Sequence, residues 1–211
     1  MKICSLVAAL LSVALTAFVT PARTRPGLPA DNTYQVGDAV ASFRLKNVDG
    51  NMVSLSDYNQ VKGVIVVFTS NHCPFAKAYE DRIIGLHSKF SGQGFPVIAI
   101  NPSDPATHPD DSADKMRERA RAKNYGYPYL ADDSQQVAKA FGAGRMPQVY
   151  VLERSGGKFV VRYAGMIDDN PQDPGGVTKR YAEEAVANLI ESKPVVMTIT
   201  KPVGCAIKWK N

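Results

Sequence analysis

The sequence predicts an α/β domain, and three neighbouring segments carry that prediction. Residues 64–68 are apolar without interruption, as in a strand that is covered on both faces of a parallel sheet. Residues 96–100 form a second run of this kind. Between them, apolar residues recur at helical spacing on one stripe: Phe75, Tyr79, Ile83, Leu86 and Phe90. Strand, helix and strand therefore predict a βαβ unit with a right-handed crossover.

The composition indicates one globular domain. The chain has 211 residues, of which 45% are hydrophobic and 21% charged, so disordered and fibrous classes are excluded. Its net charge is +5, and removal of Lys2 with a leader would leave 25 − 1 = 24 cations against 20 acids, or +4. Such a charge suits solubility and gives no reason to expect a nucleic-acid partner.

Residues 1–22 have the pattern of a signal peptide. Lys2 precedes a charge-free apolar run that ends at small residues, so cleavage is expected near Ala22 and the mature protein is expected to be periplasmic or secreted. The alternative is an uncleaved anchor, which would be the chain's only contact with a membrane. Cleavage would also remove Cys4 and leave Cys73 and Cys205 in a compartment that permits disulfides.

The elements before the βαβ unit begin after a linker. Residues 23–36 contain Pro26, Gly27 and Pro29 without periodicity, so the domain is predicted to span residues 37–192. Two short strands are expected within residues 39–55, around the hairpin signal of Asp49 and Gly50.

The elements after the βαβ unit begin with an insertion over residues 101–126. It contains a polar helix near 114–123, whose alternating charges favour a solvated face over an anionic partner. Residues 133–136 resemble a capping box for a helix that stops at Gly142. Strands over 148–153 and 159–164 form a second hairpin, a last helix covers about 177–192, and a tail over 193–211 carries Cys205.

Cys73 is the candidate reactive residue. Pro74 suits the first helical position, which makes Cys73 the predicted N-cap, where free backbone N–H groups and the helix dipole favour a thiolate. Lys77 and Arg145 are further candidates to support that charge. The alternative is an inert cysteine of the core.

Five separated segments carry a resemblance to a known family: NHCPFAKAYEDRIIGL, AINPSD, GRMPQVYVL, GMIDDN and TKPVGCAIKWK. Together they resemble the peroxiredoxin-like, AhpC/TSA-type branch of the thioredoxin superfamily, with one active-site cysteine and Ala76 where a CxxC motif has its second. The resemblance covers about residues 37–210. It implies a thioredoxin-like fold: a central mixed sheet flanked by helices, with an N-terminal β-hairpin, an inserted helix and a C-terminal tail.

The resemblance also implies a substrate site around Cys73. Met146 and Pro147 take the place of a cis-proline edge that docks an extended substrate, and Pro74 and Phe75 adjoin it. The family has a PxxxTxxC motif that ends at its cysteine. This chain has Val66 in place of the proline and Ser70 in place of the threonine, and serine keeps the hydroxyl group. Arg145 is the candidate to polarise the departing oxygen.

The expected strand directions place a further loop at the same end of the sheet as Cys73. The strand after Pro147 should run antiparallel to the one before Cys73, so the strand that follows returns to the cysteine and residues 165–170 should lie beside it. Asp168 and Asp169 in this loop can act as a proton shuttle or cap a turn, and turn formation is the favoured role.

The role of Cys205 stays open at the level of sequence. The 205 − 193 = 12 steps of the tail can span up to about 40 Å, enough to return to Cys73 from the end of the last helix. Cys205 can then be a resolving thiol, half of a purely structural pair, half of an intermolecular bridge, or a distant free thiol.

These features predict an exported, thiol-dependent oxidoreductase, peroxiredoxin-like, without a metal or cofactor. Its partners would be a peroxide or disulfide substrate and an external thiol reductant such as a thioredoxin-like protein. The histidines His72, His87 and His108 have no metal-ligand spacing. The alternatives are a disulfide reductase of the cytochrome-maturation type, against which Ala76 argues, and a non-catalytic module that binds peptides or copper.

Overall fold

The computed structural model of the protein describes residues 33–210. The predicted signal peptide and most of the predicted linker lie outside these residues. Within them, no helix combines the length and the apolar character that crossing a bilayer requires. Tyr34 is already part of the core, so the folded domain includes residues before the predicted start at Gly37.

The secondary structure follows the predicted order and adds four short strands of two or three residues each. The strands in this part of the chain are β1 (Ala39–Val40), β2 (Arg44–Asn47), β3 (Met52–Ser54), β4 (Gly63–Phe68), β5 (Val97–Asn101), β6 (Tyr129–Ala131), β7 (Arg145–Met146), β8 (Gln148–Ser155), β9 (Lys158–Gly165) and β10 (Cys205–Ala206). The α-helices of these residues are α1 (Pro74–Phe90), α2 (Ala113–Ala122), α3 (Gln136–Phe141) and α4 (Tyr181–Ile190).

Eight strands form a mixed sheet in the order β1-β9-β8-β4-β5-β6-β2-β3. Strands β4, β5 and β6 are parallel, and the neighbouring pairs outside them are antiparallel. Strand β8 pairs antiparallel with β4, so that Gln148 opposes Phe68 and β8 begins at the edge where β4 ends. The short strands β10 and β7 form a separate antiparallel pair at that edge.

The core has two layers, one on each face of the sheet. All six residues of β4 are buried, which confirms the prediction of a strand covered on both sides. Alternate residues point to opposite faces. One face packs against α1, α2 and α4, and the other against α3, Tyr34, Met146 and the tail residue Ile207.

Strand β6 was missing from the sequence prediction. It has three residues, too few for a periodic pattern, and it follows Pro128. It is defined by its neighbours, since it pairs with β5 on one side and with β2 on the other. The polar insertion is therefore the crossover of a second βαβ unit.

The predicted capping box at residues 133–136 is wrong. Helix α3 begins after Gln135, whose side chain makes no capping hydrogen bond. The carboxylate of Asp132 accepts from the Ala138 N–H at 2.8 Å instead. The predicted stop at Gly142 is confirmed, with the left-handed backbone that favours glycine (φ 66°).

Helix α2 is anchored to α1 and is not a fully solvated helix. Its one buried residue is Met116, and Arg119 donates through Nε at 2.6 Å to the carboxylate of Glu80, a buried residue of α1. Tyr125 donates to the same carboxylate at 2.9 Å. The predicted solvated face of this helix is therefore wrong for Arg119, because the insertion folds back over α1.

Candidate active site

Cys73 lies where α1 begins, close to the end of β4. Its backbone is extended, and Pro74 occupies the first helical position, so the predicted N-cap is confirmed. The side chain is fully buried. The first turn of α1 contains no acidic residue that would oppose a negative charge on the sulfur.

Cys73 forms a disulfide with Cys205 across a sequence separation of 132 residues. The two Cα atoms are 6.0 Å apart, within the range that a disulfide spans. The tail therefore returns from the end of α4 to the start of α1. Of the alternatives for Cys205, an intramolecular pair is the one found in the structure.

The tail reaches Cys73 as a strand laid along the proline edge. The Met146–Pro147 peptide bond is cis, as the resemblance implied. In the β7–β10 pair, Cys205 opposes Met146, whose carbonyl oxygen lies 3.2 Å from the sulfur of Cys73. The approach is so close that a Cβ at Gly204 would collide with the Met146 carbonyl. The tail thus occupies the edge that was predicted to dock an extended substrate.

The other residues predicted around Cys73 differ in their exposure. Ser70 is buried, and its hydroxyl has no hydrogen-bond partner within residues 33–210. Pro74 is exposed and Phe75 half-buried. The guanidinium of exposed Arg145 donates from Nη1 to the Gly204 carbonyl at 3.2 Å, so this cation lies on the tail in the disulfide form.

The carboxylates of Asp168 and Asp169 are hydrogen-bonded to residues of α1 and of their own loop. Asp168 is buried, and its carboxylate accepts from the Tyr79 hydroxyl and from Arg82, each at 2.8 Å. It also accepts from the Asn170 N–H at 3.1 Å, the turn contact that was favoured for it. Asp169 accepts from the Thr178 N–H at 2.9 Å. Burial and the neighbouring Asp168 raise the pKa of Tyr79 well above its usual range.

A polar network beside Cys73 was not predicted. The buried carboxylate of Asp111 accepts from the Asn71 N–H at 2.6 Å and from the Asn101 side chain at 2.9 Å. It also contacts Nδ1 of His72, whose ring stacks on His108 with 3.7 Å between centroids. Burial lowers the pKa of His108, and the charges of His72 and Lys208 act in the same direction.

No sequence signal identified this network. Asp111 is one of several acidic residues in an irregular insertion, and its place at the active-site end comes from the path of that loop. Within the described part of the chain, no group of three or more histidine, cysteine or acidic side chains is arranged to hold a metal ion.

Comparison with known sequences places this site in a family. A model of the AhpC/TSA family matches residues 36–168. The chain is 32% identical over 138 residues to chloroplastic peroxiredoxin Q of Populus jackii, an alignment that covers 57% of this chain and 56% of that protein. It therefore spans little more than half the length of that relative.

Two further relatives differ in the chemistry that their names state. Chloroplastic peroxiredoxin Q of Oryza sativa subsp. japonica is 30% identical over 167 residues, with 71% of each chain covered. The thiol-disulfide oxidoreductase ResA of Geobacillus thermodenitrificans is 25% identical over 123 residues, covering 57% of this chain and 65% of that protein.

Solved structures with a similar fold include a hypothetical protein of Sinorhizobium meliloti, with a TM-score of 0.78, 32% identity and coverage of 85% of this chain and 97% of that one. Peroxidoxin BcpB of Mycobacterium tuberculosis has a TM-score of 0.56 at 21% identity, with 75% of this chain and 97% of that chain covered. The thioredoxin-like fold implied by the sequence is thereby confirmed.

Proposed function

The chain belongs to the AhpC/TSA family, and on that premise we propose that it is a thiol peroxidase in which Cys73 attacks the peroxide and Cys205 resolves the product. The observation that carries this proposal is the disulfide between the N-cap of α1 and the tail. It supplies the second sulfur that Ala76 does not, and Ala76 itself is buried against the core.

The proposed reaction has two steps in the protein. The Cys73 thiolate attacks one peroxide oxygen, an S–O bond forms, the O–O bond breaks and the departing oxygen takes a proton. Cys73 is thereby oxidised to a sulfenic acid and the peroxide reduced to an alcohol or water. The Cys205 thiolate then attacks the sulfenic sulfur, so that the S–S bond forms, the S–O bond breaks and water leaves.

An external dithiol completes the proposed cycle. It reduces the Cys73–Cys205 disulfide by thiol-disulfide exchange and is itself oxidised to a disulfide. A thioredoxin-like protein is the class of reductant proposed. Cys205 is only partly buried whereas Cys73 is fully buried, so attack at Cys205 is the proposed route.

Ser70 has more support than Arg145 as a further catalytic residue. The Ser70 hydroxyl is buried without a partner near the start of α1, so it is available to donate to a bound peroxide oxygen. Arg145 is bound to Gly204 in the disulfide form. Its proposed role at the departing oxygen therefore requires the guanidinium to leave the tail.

A second candidate is disulfide exchange with a protein substrate. The observation that favours it is the β7–β10 pair, because an extended segment with a cysteine already lies along the cis-proline edge. A protein substrate would have to displace the tail and present its own disulfide there. The absence of a second sulfur at Ala76 leaves release of the mixed disulfide to Cys205.

Stopped-flow oxidation separates the two candidates. Reduced wild-type protein is expected to consume one hydrogen peroxide with the loss of two thiols, and Cys205→Ser to accumulate a sulfenic acid on Cys73 that dimedone traps. Cys73→Ser is expected not to react. If reduced wild type consumes peroxide no faster than Cys73→Ser but reduces a protein disulfide, the peroxidase proposal is wrong and the second candidate holds.

We also propose that the protein acts after export, on the basis of the leader-like residues 1–22. The test is the mass and location of the mature chain in a cell that makes it. A chain that begins after Ala22 outside the cytoplasmic membrane supports export, and an intact leader in the cytoplasm contradicts it.

A further inference from the structure

After Cys205, the end of the tail is hydrogen-bonded to a buried side chain of the domain, Gln135. Its Nε2 donates to the Lys208 carbonyl at 2.8 Å, and its Oε1 accepts from the Lys210 N–H at 2.7 Å. One amide thus pairs with two alternate backbone groups of the tail, as the backbone of a neighbouring strand would. The residue is fully buried, so no water competes for these hydrogen bonds.

The loop before α3 sets the orientation of this amide. Gln135 has a left-handed backbone (φ 59°), which is uncommon for a residue other than glycine. Its N–H donates to the Asp132 carbonyl at 2.9 Å. Nε2 also donates to the Pro102 carbonyl at 2.8 Å, so part of the amide is tied to the domain independently of the tail.

Other contacts attach the same segment of the tail. Ile207 is buried in the core layer below α3, and its N–H donates to the Gly144 carbonyl at 3.2 Å. The Lys210 ammonium donates to the Asp133 carbonyl at 2.9 Å. None of these contacts involves sulfur, so they can persist when the disulfide is reduced.

We propose that Gln135 is a positioning residue for the resolving thiol. It holds the backbone of residues 208–210 so that Cys205 stays beside Cys73 while the disulfide is open. This inference rests on the proposed function, because positioning matters only if Cys205 attacks oxidised Cys73. A docked thiol has a high effective concentration at its target, whereas a free tail must search for it.

The first test compares two adjacent glutamines. Gln135→Ala removes the amide, and Gln136→Ala is the matched control, since Gln136 is exposed on α3. In stopped flow with hydrogen peroxide, Gln135→Ala is expected to close the disulfide about tenfold more slowly. A tenfold change corresponds to a loss of roughly 1.4 kcal/mol in the free energy that docks the tail. The rate of Cys73 oxidation is expected to stay at the wild-type value in both variants.

The second test observes the tail directly. Trp209 is the only tryptophan in the sequence and lies four positions after Cys205. Its fluorescence anisotropy is expected to be the same in reduced and oxidised wild type, and to fall on reduction of Gln135→Ala. A fall on reduction of wild type would show that the disulfide alone holds the tail, and the inference would be wrong.

A backbone variant keeps the inference testable if Gln135→Ala does not fold. Lys210→Pro removes the backbone N–H that donates to Oε1 of Gln135. It leaves the buried side-chain amide of Gln135 in place. It is expected to slow closure by itself and to add little to Gln135→Ala, while Lys210→Ala, which keeps the N–H, has a smaller effect. Unchanged closure in Lys210→Pro, or fully additive losses, would overturn the inference.

Different experimental outcomes show whether this inference or the proposed function is wrong. If wild type forms no Cys73–Cys205 disulfide with peroxide, the function itself is wrong. If wild type closes the disulfide and Gln135→Ala closes it equally fast, only the positioning role is wrong.

Discussion

At the scale of single residues, Asp168 lies on the loop that was expected beside Cys73, but its carboxylate binds to the neighbouring helix. The loop after β9 leaves the sheet at the active-site edge, where Gly165 opposes Val149. The Asp168 carboxylate nevertheless turns toward α1, where Arg82 donates to both of its oxygens at 2.8 Å. Since Asp168 is buried, the pair anchors the loop to the helix.

Substitution of Asp168 distinguishes anchoring from substrate binding. Asp168→Ala leaves the Arg82 guanidinium, whose side chain is only 13% exposed, without its carboxylate. We expect a loss of about 3 kcal/mol in the free energy of unfolding, measured in urea. The rate of Cys73 oxidation by peroxide is expected to be unchanged.

The control is Asp169→Ala, because Asp169 is less buried and its partner is Thr178. It is expected to lose much less stability. A large fall in the Cys73 oxidation rate of Asp168→Ala, under conditions where the protein stays folded, would assign Asp168 to the substrate site after all.

The roles of some residues could be predicted from the sequence, and the roles of others could not. Cys73 and Pro74 form a local signal, because an N-cap is defined by its own backbone and the next turn of helix. Asp111 and Gln135 give no such signal. Their partners are 40 and 75 positions away in sequence, at Asn71 and Lys210, so their roles depend on the path of the loops that contain them.

At the scale of elements, strand β10 decides what the active-site edge can bind. It contains only two residues, and its pairing with β7 depends on the absence of a side chain at Gly204. A sheet edge of this kind pairs with any extended segment that fits it. The tail is the segment of this chain that does so.

Substitution of Gly204 tests the strand pairing. Gly204→Ala places a Cβ against the Met146 carbonyl, which is backbone and cannot move aside easily. Closure of the disulfide after peroxide oxidation is expected to slow by about tenfold, the effect of roughly 1.4 kcal/mol of lost pairing. Quenched-flow samples with alkylated thiols measure this rate.

Gly144→Ala is the matched control, because a Cβ at that position meets no atom within 4 Å. It is expected to close the disulfide at the wild-type rate. Equal rates in Gly204→Ala and wild type would show that β10 does not need to lie on β7 when Cys205 attacks.

The elements that the sequence predicted well are those with internal patterns. Strand β4 has six buried residues and α1 a continuous apolar stripe, so burial is repeated within each element. Strand β6 and the start of α3 lack that repetition. Strand β6 forms because it pairs with a strand on each side. The start of α3 is set by Asp132, one residue before the predicted motif, whose carboxylate accepts from a backbone N–H of the helix.

At the scale of the whole molecule, the disulfide joins the start of α1 to the tail over 132 positions. In the chain-entropy account, a link over a loop of this length stabilises the fold by about 5 kcal/mol, because the unfolded chain loses freedom. The same bond covers the sulfur of Cys73 with the tail. Reduction is therefore expected to lower the stability of the fold.

Urea unfolding with and without dithiothreitol measures this contribution. The reduced protein is expected to unfold with a free energy lower by about 4 to 5 kcal/mol. In the double variant Cys73→Ser, Cys205→Ser, dithiothreitol is expected to have no effect. A difference below about 1 kcal/mol in the wild type would contradict the entropic account.

The sequence by itself determined the α/β class, the buried central strand, the helix that begins at Cys73 and, through the resemblance, the cis-proline edge. Only the tertiary structure decided that Cys205 pairs with Cys73, that the tail lies on that edge, and that Gln135 holds it there. The physical reason is the range of each interaction. Caps and burial patterns are formed by residues within one or two turns, whereas the disulfide and the tail contacts join groups that become neighbours only when the sheet and its loops are folded.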